Sequence, residues 1–279
     1  MRTGERGADD TVYVAVAQFA SIADTQANIS SIAGLAARAA AAGARLAIFP
    51  EASSYRFASS GDELLRAAEN DGEAFRTAMG EIARKNHIAL VVGLYATGND
   101  RKRSDNLLVV FGADGREQGS YHKLHLYDAF QYRESDKNTP GDLKADFAEL
   151  MVFDLAPFRF GLINCYDLRF PEIARALVDL GANALVVCAG WTTGPLKEMH
   201  WETLLRARAI ENTAFVLASS QPAPLSAGLS MIIDPTGVVL ASVPVAEGLA
   251  FASLSYRHLE AWREIVPALK HRRYAVVQR

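Results

Sequence analysis

The chain has 279 residues, half of them apolar, with 29 basic against 32 acidic side chains and a formal net charge of −3. That balance argues against a nucleic-acid or anionic-membrane surface, since no long Lys/Arg block precedes the short His271-Arg272-Arg273 cluster. Two cysteines rule out a disulfide framework, no apolar run approaches the roughly 18 residues of a membrane span, and the polar start ending in Asp9-Asp10 has no secretory h-region, so a cytoplasmic, reduced protein is expected.

In chain order, residues 1–10 read as a disordered tail and residues 11–279 as one domain, large enough to fold without staples. Residues 13–19 (YVAVAQF) form a buried strand, and residues 28–43 an alanine-rich helix with Ile29, Ile32, Leu35 and Ala36 on one face and Gly43 closing it. Residues 45–49 form a second strand that delivers Pro50 and Glu51 to its carboxyl end. Helices are expected over 63–68 and 73–87, and a buried strand over 88–95. Residues 106–111 and 117–121 flank the turn Ala113-Asp114-Gly115 as an antiparallel hairpin running into Tyr121-His122-Lys123-Leu124-His125. Residues 128–146 are polar and irregular, a long loop near the site.

Phe158, Phe160, Leu162 and Ile163 give the next strand, and Pro171-Glu172 opens a helix that Gly181 closes, which leaves Cys165 on the crossing loop. A strand over 184–188 ends in Ala189-Gly190-Trp191; a helix over 201–212 and a strand over 213–219 follow. Residues 230–234 and 238–242 flank Pro235-Thr236-Gly237 as a second hairpin, and a strand over 249–254 precedes a short helix over 257–263. Each half combines helix-strand alternation with a hairpin, and no low-complexity linker divides them. The pattern points to an α/β fold, a four-layer αββα sandwich of two mixed β-sheets covered by helices, with a single doubly wound sheet as the alternative.

Glu51, Lys123, Cys165 and Trp191 each follow a strand, so parallel strands would aim all four into one crevice. A thiol beside a helix N-terminus is placed where thiolate formation is favoured. A carboxylate can take its proton, while an ammonium and the backbone N–H of Tyr166 can hold the oxyanion that follows attack on a carbonyl. Cys188, after Leu185, Val186 and Val187, reads as a small hydrophobe, whereas Asn164, Tyr166, Asp167, Arg169 and Glu172 surround Cys165 with polarity. Taken singly, Glu51 also suits an ordinary salt bridge and Lys123 a solvated loop. His122 and His125 could pair with Cys165 as in a Cys-His protease or join His200 at a metal, but HxxH without a third ligand in register is a weak signal.

Phe49-Pro50-Glu51, Tyr121-His122-Lys123-Leu124-His125-Leu126 and Asn164-Cys165-Tyr166-Asp167-Leu168-Arg169-Phe170-Pro171-Glu172 together resemble the nitrilase superfamily of carbon-nitrogen hydrolases. The resemblance runs from about residue 12 to the end. It implies a Glu-Lys-Cys triad on an αββα sandwich, a homodimer or higher homo-oligomer, and no metal or organic cofactor. Carried over by position, Glu51 is the general base, Lys123 the oxyanion stabiliser and Cys165 the nucleophile, with Glu134 as the additional glutamate that positions substrate and lysine. A double displacement through a thioester follows, releasing ammonia and consuming water.

CYDLRFPE, together with Thr193-Gly194-Pro195 and His200-Trp201-Glu202, is similar to the amidase branch related to the Nit proteins, which act on omega-amides of small 2-oxo acids or on deaminated glutathione. Leu196-Lys197-Glu198-Met199 is a departure, because about one residue is expected between Gly194-Pro195 and His200-Trp201. Tyr55, Trp191 and Thr192 are candidate pocket residues, and Arg169 could meet a substrate carboxylate or pair internally with Asp167 or Glu172. An N-carbamoyl amide hydrolase, a simple aliphatic amidase, a nitrilase or an inactive binding protein on the same fold are the competing expectations.

Overall fold

The computed structural model describes residues 10–278; of the tail expected over 1–10, all but Asp10 lies outside them. Asp10 itself is tied down, its carbonyl accepting from the N–H of Tyr256 at 2.9 Å.

The elements run β1 (Thr11–Gln18), α1 (Thr25–Ala41), β2 (Leu46–Ile48), α2 (Gly61–Asn86), β3 (Ala89–Thr97), β4 (Ser104–Phe111) and β5 (Glu117–His122). Three two-residue strands follow, β6 (Asp128–Ala129), β7 (Tyr132–Arg133) and β8 (Asn138–Thr139). The remainder is β9 (Val152–Leu155), β10 (Phe158–Asn164), α3 (Pro171–Asp179), β11 (Ala184–Ala189), α4 (Lys197–Asn212), β12 (Phe215–Ser220), β13 (Ser230–Ile233), β14 (Val239–Val243), β15 (Gly248–Ser255) and α5 (Tyr256–Ile265).

Local chemistry sets the boundaries. Asp24 caps α1 by accepting from the N–H of Ala27 at 3.0 Å, so the helix starts at Thr25, ahead of the expected residue 28. Ser60 and Glu63 form a capping box at the start of α2. The two helices expected over 63–87 are this one helix. Its buried stripe, Leu64, Ala68, Phe75, Met79, Ile82 and Ala83, continues across the polar stretch Glu69-Asn70-Asp71-Gly72, which does not break it.

Two sheets face each other. One has the order β15-β1-β2-β3-β4-β5, with β8 beside β4; the other has the order β14-β13-β12-β11-β10-β9. Strands β1, β2 and β3 are parallel, as are β10, β11 and β12, and the flanking pairs are antiparallel, so both sheets are mixed. The period-two alternation of each strand builds three apolar layers. Val12, Val14 and Val16 meet Phe160, Leu162 and Val186 between the sheets, while Ala15 and Ala17 face α1 and α2, and Leu185, Val187 and Ala189 face α3 and α4. That is the four-layer αββα sandwich expected from the pattern.

Strand β15 ties the two halves together: it pairs antiparallel with β1 over Thr11↔Ser255 to Gln18↔Gly248, so the end of the second half completes the first sheet. Strand β9, which the sequence reading omits, edges the second sheet against β10.

One glycine fixes the approach of the segment after β2. Gly93 on β3 accepts from the N–H of Ser53 at 2.9 Å, and a Cβ there would lie 2.6 Å from Glu51 Cα and 2.7 Å from the Pro50 oxygen, all backbone that cannot swing aside. Gly93→Ala is expected to cost about 1–3 kcal/mol through this overpacking. It should also lower turnover by displacing Glu51. Urea denaturation with a parallel activity assay checks both, and unchanged stability would refute the close-approach account.

Candidate active site

Four strand ends supply the site, and a buried ion cluster joins them. Lys123, after β5, is 1% exposed. Its Nζ donates to Glu51 Oε1 at 2.7 Å and to Glu134 Oε2 at 2.8 Å. Glu51 Oε2 accepts the backbone N–H of Gly190 at 2.8 Å, just past β11, and Glu134 Oε2 accepts the N–H of Tyr127 at 2.7 Å. Asn106 on β4 bridges the two carboxylates, its Nδ2 donating to Glu51 Oε1 at 2.8 Å and to Glu134 Oε1 at 3.0 Å, while its Oδ1 accepts from Asn164 at 3.1 Å. Every oxygen of both buried carboxylates is therefore satisfied, which makes their burial tolerable.

Cys165 ends β10 with φ at 49°, a left-handed backbone unusual for a residue with a side chain. It opens a short 3-10 turn, Cys165–Arg169. Asp167 anchors that turn, accepting from Tyr121 Oη at 2.8 Å, from the His125 N–H at 2.9 Å and lying 2.8 Å from His125 Nδ1. The turn is thus bonded to the segment carrying Lys123. A cavity of about 30 Å³ lies among Glu51, Phe57, Asn106, Lys123, Glu134, Cys165, Gly190 and their neighbours Tyr95, Tyr127, Tyr132, Asn138 and Thr192.

The carbon-nitrogen hydrolase family profile matches residues 13–264. This chain belongs to the carbon-nitrogen hydrolase family. It is 34% identical over 267 residues to the deaminated glutathione amidase of Escherichia coli O157:H7, covering 96% of this chain and 99% of that one. Among solved structures it is similar to the amidase from Nesterenkonia sp. AN1 in complex with acrylamide (TM-score 0.82, 25% identity, 97% of each chain). It is also similar to the Caenorhabditis elegans NitFhit protein (TM-score 0.84, 29% identity), covering 96% of this chain and 66% of that one. These relatives support a cysteine-dependent amidase acting on a non-peptide C–N bond.

In this carbon-nitrogen hydrolase the charges sort themselves clearly. Burial alone would raise the Glu51 carboxyl, but the Lys123 ammonium, helped by hydrogen bonds from Gly190 and Asn106, holds it below its ordinary value. Burial alone would depress Lys123; Glu134 and Glu51 outweigh it and carry its pKa well up. Burial first, then the Glu51 charge, push the Cys165 thiol well above its usual value, against the pull of Lys123. The resting site is therefore thiol, carboxylates and ammonium. The expectation that the helix N-terminus favours a thiolate does not hold: a whole 3-10 turn separates Cys165 from α3, and the helix field fades within a turn.

The cavity corrects the pocket list. Tyr55 does not line it; Tyr55 faces a separate cleft with Asp24, Arg66 and Asp71, and Phe57 lines the site instead. Thr192 lines the cavity, and Trp191 and Tyr166 line a smaller void that also borders Cys165. Arg169 pairs with neither Asp167 nor Glu172; it lies over the Trp191 ring with Cζ 4.9 Å from the centroid. His122 bonds the Thr139 carbonyl and His125 bonds Asp167, so neither histidine serves Cys165, and His200 lies against Arg169. Asn106, Tyr95 and Tyr132 escaped the sequence reading; an asparagine opening the apolar run of β4 was the available signal for the first.

Two outcomes follow. Alkylation should label Cys165, which is 8% exposed, well before Cys188, which is 0% exposed between the sheets; equal labelling in the native protein would contradict this placement. With a depressed Glu51 and a raised Cys165, kcat/KM should stay level from about pH 5 to pH 8.5, falling only below the ordinary carboxylate pKa of about 4. A step near the free-thiol pKa of about 8.5 would show that burial and Glu51 do not raise the Cys165 thiol.

Proposed function

We propose that this hydrolase cleaves the amide bond of a small carboxylated amide, an omega-amide of a 2-oxo acid or an amide of the deaminated glutathione type, and that Cys165 is its nucleophile. The observation that carries the reading is the buried Lys123 ammonium held between Glu51 and Glu134 in the cavity that Cys165 lines. The relative named deaminated glutathione amidase supports the substrate class. An amidase from Nesterenkonia sp. AN1 that undergoes Michael addition of acrylamide at its active site cysteine supports cysteine chemistry on this fold.

On this reading the Cys165 thiol passes its proton to Glu51 as sulfur bonds to the amide carbon. Protonation of Glu51 leaves Lys123 paired chiefly with Glu134 and able to donate to the new oxyanion, which the Tyr166 N–H shares. Collapse breaks the C–N bond, Glu51 returns the proton to the departing nitrogen, and ammonia leaves a thioester on Cys165. Water then loses a proton to Glu51 and attacks the thioester. The C–S bond breaks, sulfur recovers the proton, and the carboxylic acid departs. Glu134 holds Lys123 in place throughout.

Residues 11–279 act as one unit on this reading. Among the described residues no helix is long and apolar enough to cross a membrane. A homodimer is the family expectation, which sedimentation velocity checks.

Ammonia release should be measured over 2-oxoglutaramate, 2-oxosuccinamate, deaminated glutathione, simple aliphatic amides, N-carbamoyl amino acids and nitriles. Cys165→Ala should abolish turnover without unfolding the protein, and Lys123→Ala should lower kcat by at least ~100-fold through lost oxyanion stabilisation. Near-wild-type activity in either variant would overturn the mechanism. Release of carbon dioxide with ammonia, or turnover confined to nitriles, would replace the amidase assignment.

A further inference from the structure

A second cation stands beside the nucleophile without a counter-ion. Lys197, the first residue of α4, is 4% exposed. Its Nζ donates to Tyr127 Oη at 3.0 Å and sits 4.7, 4.5 and 5.1 Å from the ring centroids of Tyr127, Phe130 and Trp191. Among the described residues no carboxylate forms a salt bridge with it: Glu51 and Glu134 are taken by Lys123, Asp167 by Tyr121 and His125, and Glu198 is exposed. A buried ammonium normally has an anionic partner; here neutral rings and one hydroxyl surround it.

Arg169 repeats the pattern from the other strand end. Its Cζ lies 4.9 Å from the Trp191 centroid and 5.9 Å from that of Phe130, its Nε is buried with no partner among the described residues, and its Nη2 lies 3.5 Å from His200 Nδ1. Both cations thus flank the same two rings. A void of about 20 Å³ connects Lys197 to the chemistry, since its lining includes Lys197, Trp191, Thr192 and Cys165. Lys197 is also held firmly, its carbonyl accepting from Trp191 Nε1 at 2.9 Å and its N–H donating to the Gly194 carbonyl at 3.1 Å. It belongs to the segment 196–199 by which this chain departs from the expected motif spacing.

We infer that Lys197, backed by Arg169, forms the carboxylate subsite: the anionic end of the substrate docks on Lys197 Nζ while its amide carbon lies at Cys165. This deepens the amidase assignment and rests on it. Charge, rather than shape, then distinguishes substrates here.

The test compares succinamate with butyramide, its neutral counterpart of similar length, in wild type, Lys197→Met and Lys197→Arg. Loss of a charge-assisted hydrogen bond should lower the succinamate-to-butyramide ratio of kcat/KM by at least ~10-fold in Lys197→Met, chiefly through KM, and Lys197→Arg should restore most of it. An unchanged ratio, or equal losses on both amides, would overturn the subsite and leave Lys197 a structural prop. A second arm does not depend on turnover: succinate should protect Cys165 from iodoacetamide in wild type and not in Lys197→Met, read by mass spectrometry. If no amide is hydrolysed, the amidase assignment fails, yet succinate protection that depends on Lys197 still supports the anion subsite; protection that is absent or unaffected refutes it.

Discussion

The structure depends on one buried ammonium shared by two carboxylates. Lys123 has given up water entirely, and its desolvation cost is offset only because Glu51 and Glu134 lie 2.7 and 2.8 Å away with each of their oxygens also hydrogen-bonded. Removing Lys123 leaves two carboxylates buried without their cation, and removing either glutamate leaves Lys123 with a single anionic partner, which is why the cluster behaves as a unit. It also joins elements that are distant in the chain, the ends of β2, β5 and β11 and the segment before β8. The active site and part of the fold's cohesion are thus the same set of contacts.

That convergence follows from the sandwich. Strands β2 and β3 are parallel, and β5, two antiparallel steps from β3, runs the same way, so Glu51 and Lys123 emerge at one end of the first sheet. Strands β10 and β11 are parallel in the second sheet and deliver Cys165 and Gly190. Asp167 then crosses between the sheets, bonding the turn after Cys165 to Tyr121 and His125. A left-handed cysteine costs of order 1–3 kcal/mol, and a turn anchored this firmly can bear it.

Much of this was legible in the residues. Strands with a strong period-two pattern were found within a few residues of their ends, and Glu51, Lys123 and Cys165 stood out because chemistry-bearing side chains followed them. The failures were non-local. Nothing in Leu249-Ala250-Phe251 says that this strand pairs with β1, more than two hundred residues away. Asn106 looked like one polar residue beginning a strand, and only the fold shows its amide joining two carboxylates. Tyr55 and Phe57 are equivalent on paper, and only the fold shows that the Phe57 ring is the one facing Gly190. The thiol state also required the structure, since it is set by burial and by Glu51, not by the helix end that the sequence displays.

The charge inventory carries a final consequence. Two carboxylates and one ammonium give the resting cluster a net charge of about −1 with Cys165 neutral, a field that opposes both a thiolate and an incoming carboxylate. On the proposed mechanism, neutral thiol with a ready base answers the first difficulty, because the proton reaches Glu51 only as sulfur bonds to carbon. The second needs positive charge near Cys165 that Glu51 and Glu134 cannot neutralise. Lys197 and Arg169 meet that condition: they lie across the rings of Trp191 and Phe130, apart from the Lys123 cluster, and among the described residues neither forms a salt bridge with a carboxylate. On the proposed reading, separation of the two cationic regions lets one ammonium serve the reacting oxygen while another holds the substrate's anionic end, a division that a single lysine between two glutamates could not provide.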